Sequence, residues 1–190
     1  MQWTQVPSDA FEKLQFNAGI MVDEFTPSTG VFGNILGATT GGFTFSANPS
    51  YTDIGDGMDN VPPNTWQLKR ISSFDPTISG TFLTVTAETA RMLVGPANIT
   101  GTKITPANQL KTSDFSDVWV IGDYSDVNGG GADKAGYVAV HLMNALNNAG
   151  MQWQTTKDGK GQFSFEFHGH YDLTEIETVP FEIYVKAGTT

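Results

Sequence analysis

The chain carries three histidines, and two of them stand close enough to share chemistry: His168-Gly169-His170. At i and i+2 on an extended segment, both imidazoles leave one face, and with His141 as a third ligand they could hold a zinc ion. The intervening glycine and the scarcity of histidine favour a plainer reading, in which they are polar residues on a strand surface. Asp53, Asp56 and Asp59 invite a calcium reading. An EF-hand loop, however, needs oxygen ligands at alternate positions, a central glycine and a terminal Glu, and a spacing of three supplies none of that order. There is no Gly-x-Ser-x-Gly elbow, Walker loop, His-Glu-x-x-His or dinucleotide fingerprint. Gly129-Gly130-Gly131 precedes no Lys-Ser/Thr pair, so it is no phosphate cradle. Twenty acidic residues always contain some pair spaced for glycoside hydrolysis, but nothing singles one out. The expectation is a protein that is not an enzyme and has no catalytic, cofactor or metal residues.

Charge points the same way. Twenty acidic residues oppose ten basic ones, for a formal net charge of −10. No Lys or Arg falls between Lys13 and Lys69, whereas Asp23, Glu24, Asp53, Asp56 and Asp59 do. From Gly161 to Val185 the bias returns with Glu166, Asp172, Glu175, Glu177 and Glu182. Such surfaces repel phosphate backbones. They serve solubility, or they form a surface that nucleic acid must pass without sticking. The absence of cysteine excludes disulfides and Cys-based zinc sites. No window is long and apolar enough for a transmembrane helix, and Met1 to Pro7 lack the basic and apolar regions of a secretion signal.

The elements that would position these residues read as mostly strands. Phe163, Phe165 and Phe167 alternate with Ser164, Glu166 and His168; Phe181, Ile183 and Val185 alternate with Glu182, Tyr184 and Lys186. Alternation gives each strand one apolar and one polar face, so the six apolar residues are expected in a core. Val118-Trp-Val-Ile121 is apolar on both faces, as in a central or covered strand. Gly136 to Leu146 reads as a strand with Val138, Val140 and Leu142 inward, a helix being its main competitor. Met151 to Thr156 should pair with Gln162 to Tyr171 across Lys157-Gly161, where glycine would supply positive φ. Further strands are expected at Phe43–Ala47, Thr65–Phe74 and Ser79–Val85, the last two separated by a turn at Asp75-Pro76. Residues 24–42 and 48–64 read as long loops. One helix stands out: Thr86 caps Ala87 to Val94 and Gly95-Pro96 stops it. Leu93 lies on its apolar face, and Glu88 can pair with Arg91. Trp3, Trp66, Trp119 and Trp153 could serve the core, a sugar-stacking platform or a subunit interface. The fold expected is one mainly β domain over residues 1–190, an antiparallel β-sandwich or barrel with a single flanking helix.

Six segments in order carry a resemblance: Asn17-Ala-Gly-Ile20; Gly37-Ala-Thr-Thr-Gly-Gly42; Asp53-Ile-Gly-Asp-Gly-Met-Asp-Asn-Val-Pro62; Ser79-Gly-Thr-Phe82; Asp117-Val-Trp-Val-Ile-Gly-Asp-Tyr124; and Phe163 to Val185. With these the chain resembles the major tail (tail tube) proteins of long-tailed phages and prophages of Gram-positive bacteria. The resemblance implies a virion tail protein, assembled in the host bacterial cytoplasm, whose copies close into hexameric rings that stack into a tube for DNA ejection. It implies as partners further copies of itself, a tape measure protein, tail terminator and baseplate proteins, and DNA in non-specific passage, without membrane insertion. On this reading Glu166 and Glu182 are candidates to face the lumen. The two long loops, with Phe25, Phe32, Asp53, Asp56, Asp59, Asn60 and Pro62, are candidates for contacts between subunits and rings. The alternatives are the inner tube of a contractile tail or secretion system, and a carbohydrate-binding β-sandwich module of a virion.

Overall fold

A computed structural model describes residues 18–123 and 136–186. In chain order the elements are β1 (Ile20–Val22), the hairpin β2 (Phe25–Thr26) and β3 (Val31–Phe32), β4 (Thr39–Asp53), β5 (Lys69–Phe82) and α1 (Ala87–Val94). There follow the hairpin β6 (Ala97–Thr100) and β7 (Lys103–Pro106), then β8 (Ser116–Asp123), β9 (Tyr137–Asn147), β10 (Gln152–Gln154), β11 (Gln162–His168) and β12 (Phe181–Lys186). All pairings are antiparallel. One sheet runs β1-β8-β9-β12 and the other β10-β11-β5-β4. They join where the end of β9 meets β11, Asn147 opposite Phe167 and Leu146 opposite His168. Among the described residues the fold is mainly β with one α-helix, the sandwich architecture that the alternating strands require.

Between the sheets lies the main core, built on Phe165, Phe167, Ile78, Phe82, Val118 and Leu142, all buried. Phe82 and Phe165 stack at 4.4 Å between centroids. Burying side chains of this size is worth about 1.5–3 kcal/mol each. A second cluster covers the other face of the first sheet, where Phe25 of β2 meets Trp119 at 5.5 Å and Tyr137 at 5.2 Å, both edge-on. The two-faced apolar run in β8 is thereby explained: Val118 serves the main core, Trp119 and Ile121 the second.

The helix forms where its signals stand. Thr86 accepts the Thr89 amide at 3.1 Å, and Gly95, at φ 84°, closes the last turn. Leu93 is fully buried against the sandwich. Its carbonyl, one of those a helix end leaves unpaired, accepts from the Asn147 side chain at 2.7 Å. Asn147 also donates to the Gly150 carbonyl and accepts the Glu166 amide at 2.9 Å, so one buried amide ties the helix, the β9–β10 connection and β11 together. Arg91 does not pair with Glu88; it reaches Asp114 at 3.7 Å.

Several boundaries differ from the sequence reading. The turn expected at Asp75-Pro76 does not exist: β5 runs through it for 14 residues. The strand expected to end at Ala47 continues to Asp53, and much of residues 24–42 forms the β2–β3 hairpin and the start of β4. In the β10–β11 turn the positive φ belongs to Asp158 (60°) and not to a glycine, as the short polar side chain of Asp tolerates. Phe163 and Phe181 are half-buried at the rim of the core. Ile183 and Val185 are not core residues: they are 51% and 66% exposed. They do point to the core side of their sheet, opposite Val140 and Val138, but the second layer does not reach over them. The Gly129 triplet and Trp3 lie outside the described residues.

Candidate assembly surfaces

β4 and β5 pair along their length, but β11 accompanies β5 only as far as Thr77, opposite His168. Pro76 marks the boundary. It has no amide hydrogen to give, and its carbonyl accepts from Gly169 at 3.0 Å, just past the end of β11. Beyond it β4 and β5 continue alone as a two-stranded arm, Asn48 to Asp53 against Lys69 to Asp75. A bulge sits between Ser50 and Tyr51, and the Thr52 and Ser72 hydroxyls bond at 2.6 Å across the ribbon. The tip is closed by Asp53, whose carboxylate accepts the Gly55 amide at 2.9 Å and the Asn64 amide at 3.1 Å. Pro62 contributes its carbonyl to the Thr65 hydroxyl at 2.7 Å, and Asn60 turns the chain at φ 62°. Asp53 thus fastens the tip, while Asp56 and Asp59 are exposed upon it. Tyr51, Ile54, Met58 and Ile71 are exposed along the arm, and Trp66 is 79% exposed. Lone ribbons are marginal in water, and these exposed apolar side chains have no cover among the described residues.

The outer face of the second sheet has a different chemistry. Ser164, Glu166 and His168 of β11 stand opposite Thr81, Ser79 and Thr77 of β5, which stand beside Thr44 and Ser46 of β4. His168 lies between Asp75 at 2.9 Å and Glu166 at 3.1 Å. This wall is hydroxyls and carboxylates with one imidazole, and no Lys or Arg stands in these three rows.

Glu182 faces elsewhere. Its strand neighbour Phe181 packs on the main core, so Glu182 points to the outer side of the first sheet, accepting the Tyr184 hydroxyl and lying 3.7 Å from His141 Nδ1. Glu166 and Glu182 therefore lie on outer faces of different sheets and cannot line one wall together. The histidines are equally dispersed. His141 stacks on Trp119 at 3.9 Å with Asp117 at 3.2 Å, and His170 turns its Nδ1 to the Asn144 carbonyl at 3.0 Å. The three imidazoles do not converge. An open cleft of about 560 Å³ beside His141 is lined by Asp23, Glu24, Phe25, Asp117 and Trp119.

Phe25, expected in an assembly loop, is instead the buried anchor of the second cluster. Phe32, across the same hairpin, is half exposed with Val31 and Ile35 beside it. Trp119 is buried, and the exposed Trp66 and Trp153 stand on separate elements, so no sugar-stacking platform forms from them. Among the described residues, the outer edges of β4 and β12 have no strand partner. The long arm and its closing hydrogen bonds escaped sequence reading, although Asp53 and the glycines after it are the signal of a fastened loop. No protein-family model matches the chain, and no curated protein matches it.

Proposed function

We propose that the protein is a structural component that assembles with copies of itself into stacked rings, a phage tail tube through which DNA passes. The observation that carries this reading is the arm. A ribbon that leaves its own sandwich and exposes Tyr51, Trp66 and Ile71 has no apolar partner among the described residues, and a neighbouring copy would supply one. The uncovered Ile183 and Val185 on an edge strand form a second, different surface, and two unlike surfaces on one chain produce head-to-tail assemblies, which close into rings or extend into filaments. Pairing the free edges of β4 and β12 with neighbours would remove an aggregation hazard. The wall of hydroxyls around Glu166 suits a bore, because a surface without bases offers phosphates nothing to hold. Glu182, on the other sheet, is then not a bore residue.

On this reading the remaining partners are tail proteins: one that sets tube length inside the bore, and terminator and baseplate proteins at the ends. Electron microscopy of the concentrated protein tests the proposal. Stacked rings are the expected result; particles without ring or tube, even with an assembly initiator present, would refute it.

A further inference from the structure

His168 is held from both sides. Its Nδ1 lies 2.9 Å from a carboxylate oxygen of Asp75, and its Nε2 lies 3.1 Å from one of Glu166. The two acids stand on different parts of the molecule. Glu166 belongs to β11 and the wall, whereas Asp75 is the first residue of the arm, just outside Pro76. His168, the last residue of β11, therefore reaches across the point where β11 stops and the arm begins. Around the ring, β5 presents Asp75 and Thr77, β4 beyond it presents Ser46 and Asn48, β9 presents Leu146, and its own strand presents Glu166. There is no Lys or Arg among them.

A neutral imidazole has one N–H and one lone pair, so at such distances it satisfies one carboxylate and turns a lone pair on the other. Only the imidazolium donates to both. We infer that protonated His168 is a latch fastening the root of the arm to the sandwich, and that loss of its proton slackens the hold. With the proton gone, the carboxylate that faces the lone pair moves away. If that is Asp75, the bond to the arm is lost. If it is Glu166, the bond kept by Asp75 still loses its charge assistance, roughly half its strength. The latch is complete while the ring is charged and is lost as pH rises. Imidazole is the side chain whose charge ordinarily changes between about pH 5 and 8, a range in which carboxylates stay ionised. Two other bonds at the root run from the Gly169 amide to the Pro76 carbonyl and from the Phe74 amide to the Tyr171 hydroxyl. They contain neither imidazole nor carboxylate, so they persist in both states and leave the pH dependence to the latch. The device belongs to the single chain and does not need the self-assembly reading.

Hydrogen exchange of the dilute full chain, corrected for the intrinsic effect of pH, tests it at the Phe74 and Gly169 amides, which bridge arm and sandwich. Asp75 and Glu166 are well exposed, which discounts the worth of the pair. Protection at the two amides should accordingly fall about three- to tenfold between about pH 5.5 and 8. The fall should coincide with loss of the ring proton, followed through the His168 nitrogen resonances. Asp75→Asn keeps the shape of the side chain and removes its charge, and protection should then stay near the wild-type alkaline level at every pH. His168→Gln should behave likewise. Wild-type protection that stays level while the ring loses its proton overturns the latch. A fall that persists in Asp75→Asn or His168→Gln assigns the pH dependence to another group and overturns it equally.

Discussion

The Tyr171 hydroxyl accepts the Phe74 amide at 2.9 Å, tying the root of the β4–β5 arm to a loop ninety-seven residues later in the chain. At that point β11 no longer pairs with β5, and the amide would otherwise face water or an unpaired edge. Tyr171→Phe removes this bond and little else. It should cost about 0.5–1.5 kcal/mol in urea denaturation and raise hydrogen exchange at the Phe74 amide. Unchanged exchange at Phe74 would mean that the loop is held by its other contacts.

Two phenylalanines of one hairpin should behave oppositely. Phe25 is wedged between Trp119 and Tyr137, while Phe32, its cross-strand partner, is half exposed. Phe25→Ala should cost about 3–5 kcal/mol and Phe32→Ala within about 0.5 kcal/mol. Denaturant midpoints with unchanged slopes would measure both, and equal losses would contradict the division.

The helix is held at its end by Asn147, which is buried and makes three hydrogen bonds. Replacing it by Ala strands the Leu93 and Gly150 carbonyls and the Glu166 amide. With each buried unsatisfied group costing about 1–3 kcal/mol and some relaxation expected, the loss should reach several kcal/mol. Thr86→Ala at the other end should cost only about 1 kcal/mol, because that cap is one bond at a partly exposed terminus. Parallel melts of the two variants make the comparison.

How much of this was legible in the sequence follows from which forces act locally. The helix could be read residue by residue, since its cap, its stop and its apolar face all lie within ten positions from Thr86. Phe165 and Phe167 were legible for the same reason: period-two alternation fixes which side of a strand they take. Ile183 and Val185 obey that alternation and are exposed nonetheless, because alternation gives the side of a sheet but not whether a second layer extends over it. The arm was hidden by its prolines. Asp75-Pro76 read as a turn and Pro49 fell within a stretch read as loop, yet both prolines fit strand positions whose nitrogen needs no partner. Phe25 was read as an assembly residue because it sits in a Gly- and Thr-rich stretch; only its long-range neighbours Trp119 and Tyr137 make it core. The separation of Glu166 from Glu182 is likewise a property of two sheets, invisible in either strand alone.

Glu182 has a spectroscopic handle. Its carboxylate accepts the Tyr184 hydroxyl, and that bond, with burial and the charge of Glu182 adding to it, holds the phenol above the ordinary value of 10.0. A pKa raised in the folded state contributes stability that is complete below the unfolded value and is lost as pH rises through the folded one. The Tyr184 contribution should therefore vanish only at strongly alkaline pH. Glu182→Gln should bring the phenolate transition back towards 10, read by ultraviolet absorbance against a Tyr184→Phe control. No movement of the transition would show that the bond does not persist in solution.

The wall around Glu166 makes the sharpest demand of the tube reading. If DNA passes along it, the absence of bases is a functional property and adding them should be harmful. Thr77 and Ser79 project from this wall beside His168 and Glu166, half-buried, on the sandwich side of the arm's root and on a strand flanked by β4 and β11. Thr77→Lys with Ser79→Lys should fold and assemble, and the assembled tubes should retain duplex DNA that wild-type tubes release. Each added phosphate contact steepens the dependence of log affinity on log salt by about 0.9, so the retention should disappear as salt rises. Glu88→Lys places a base on the exposed side of the helix, off this wall, and serves as the control for net charge. Co-sedimentation of DNA with tubes across a salt series decides the matter. Equal retention by the wall variant and the helix variant would mean that this face does not meet DNA, and the bore would have to be sought on another surface of the sandwich.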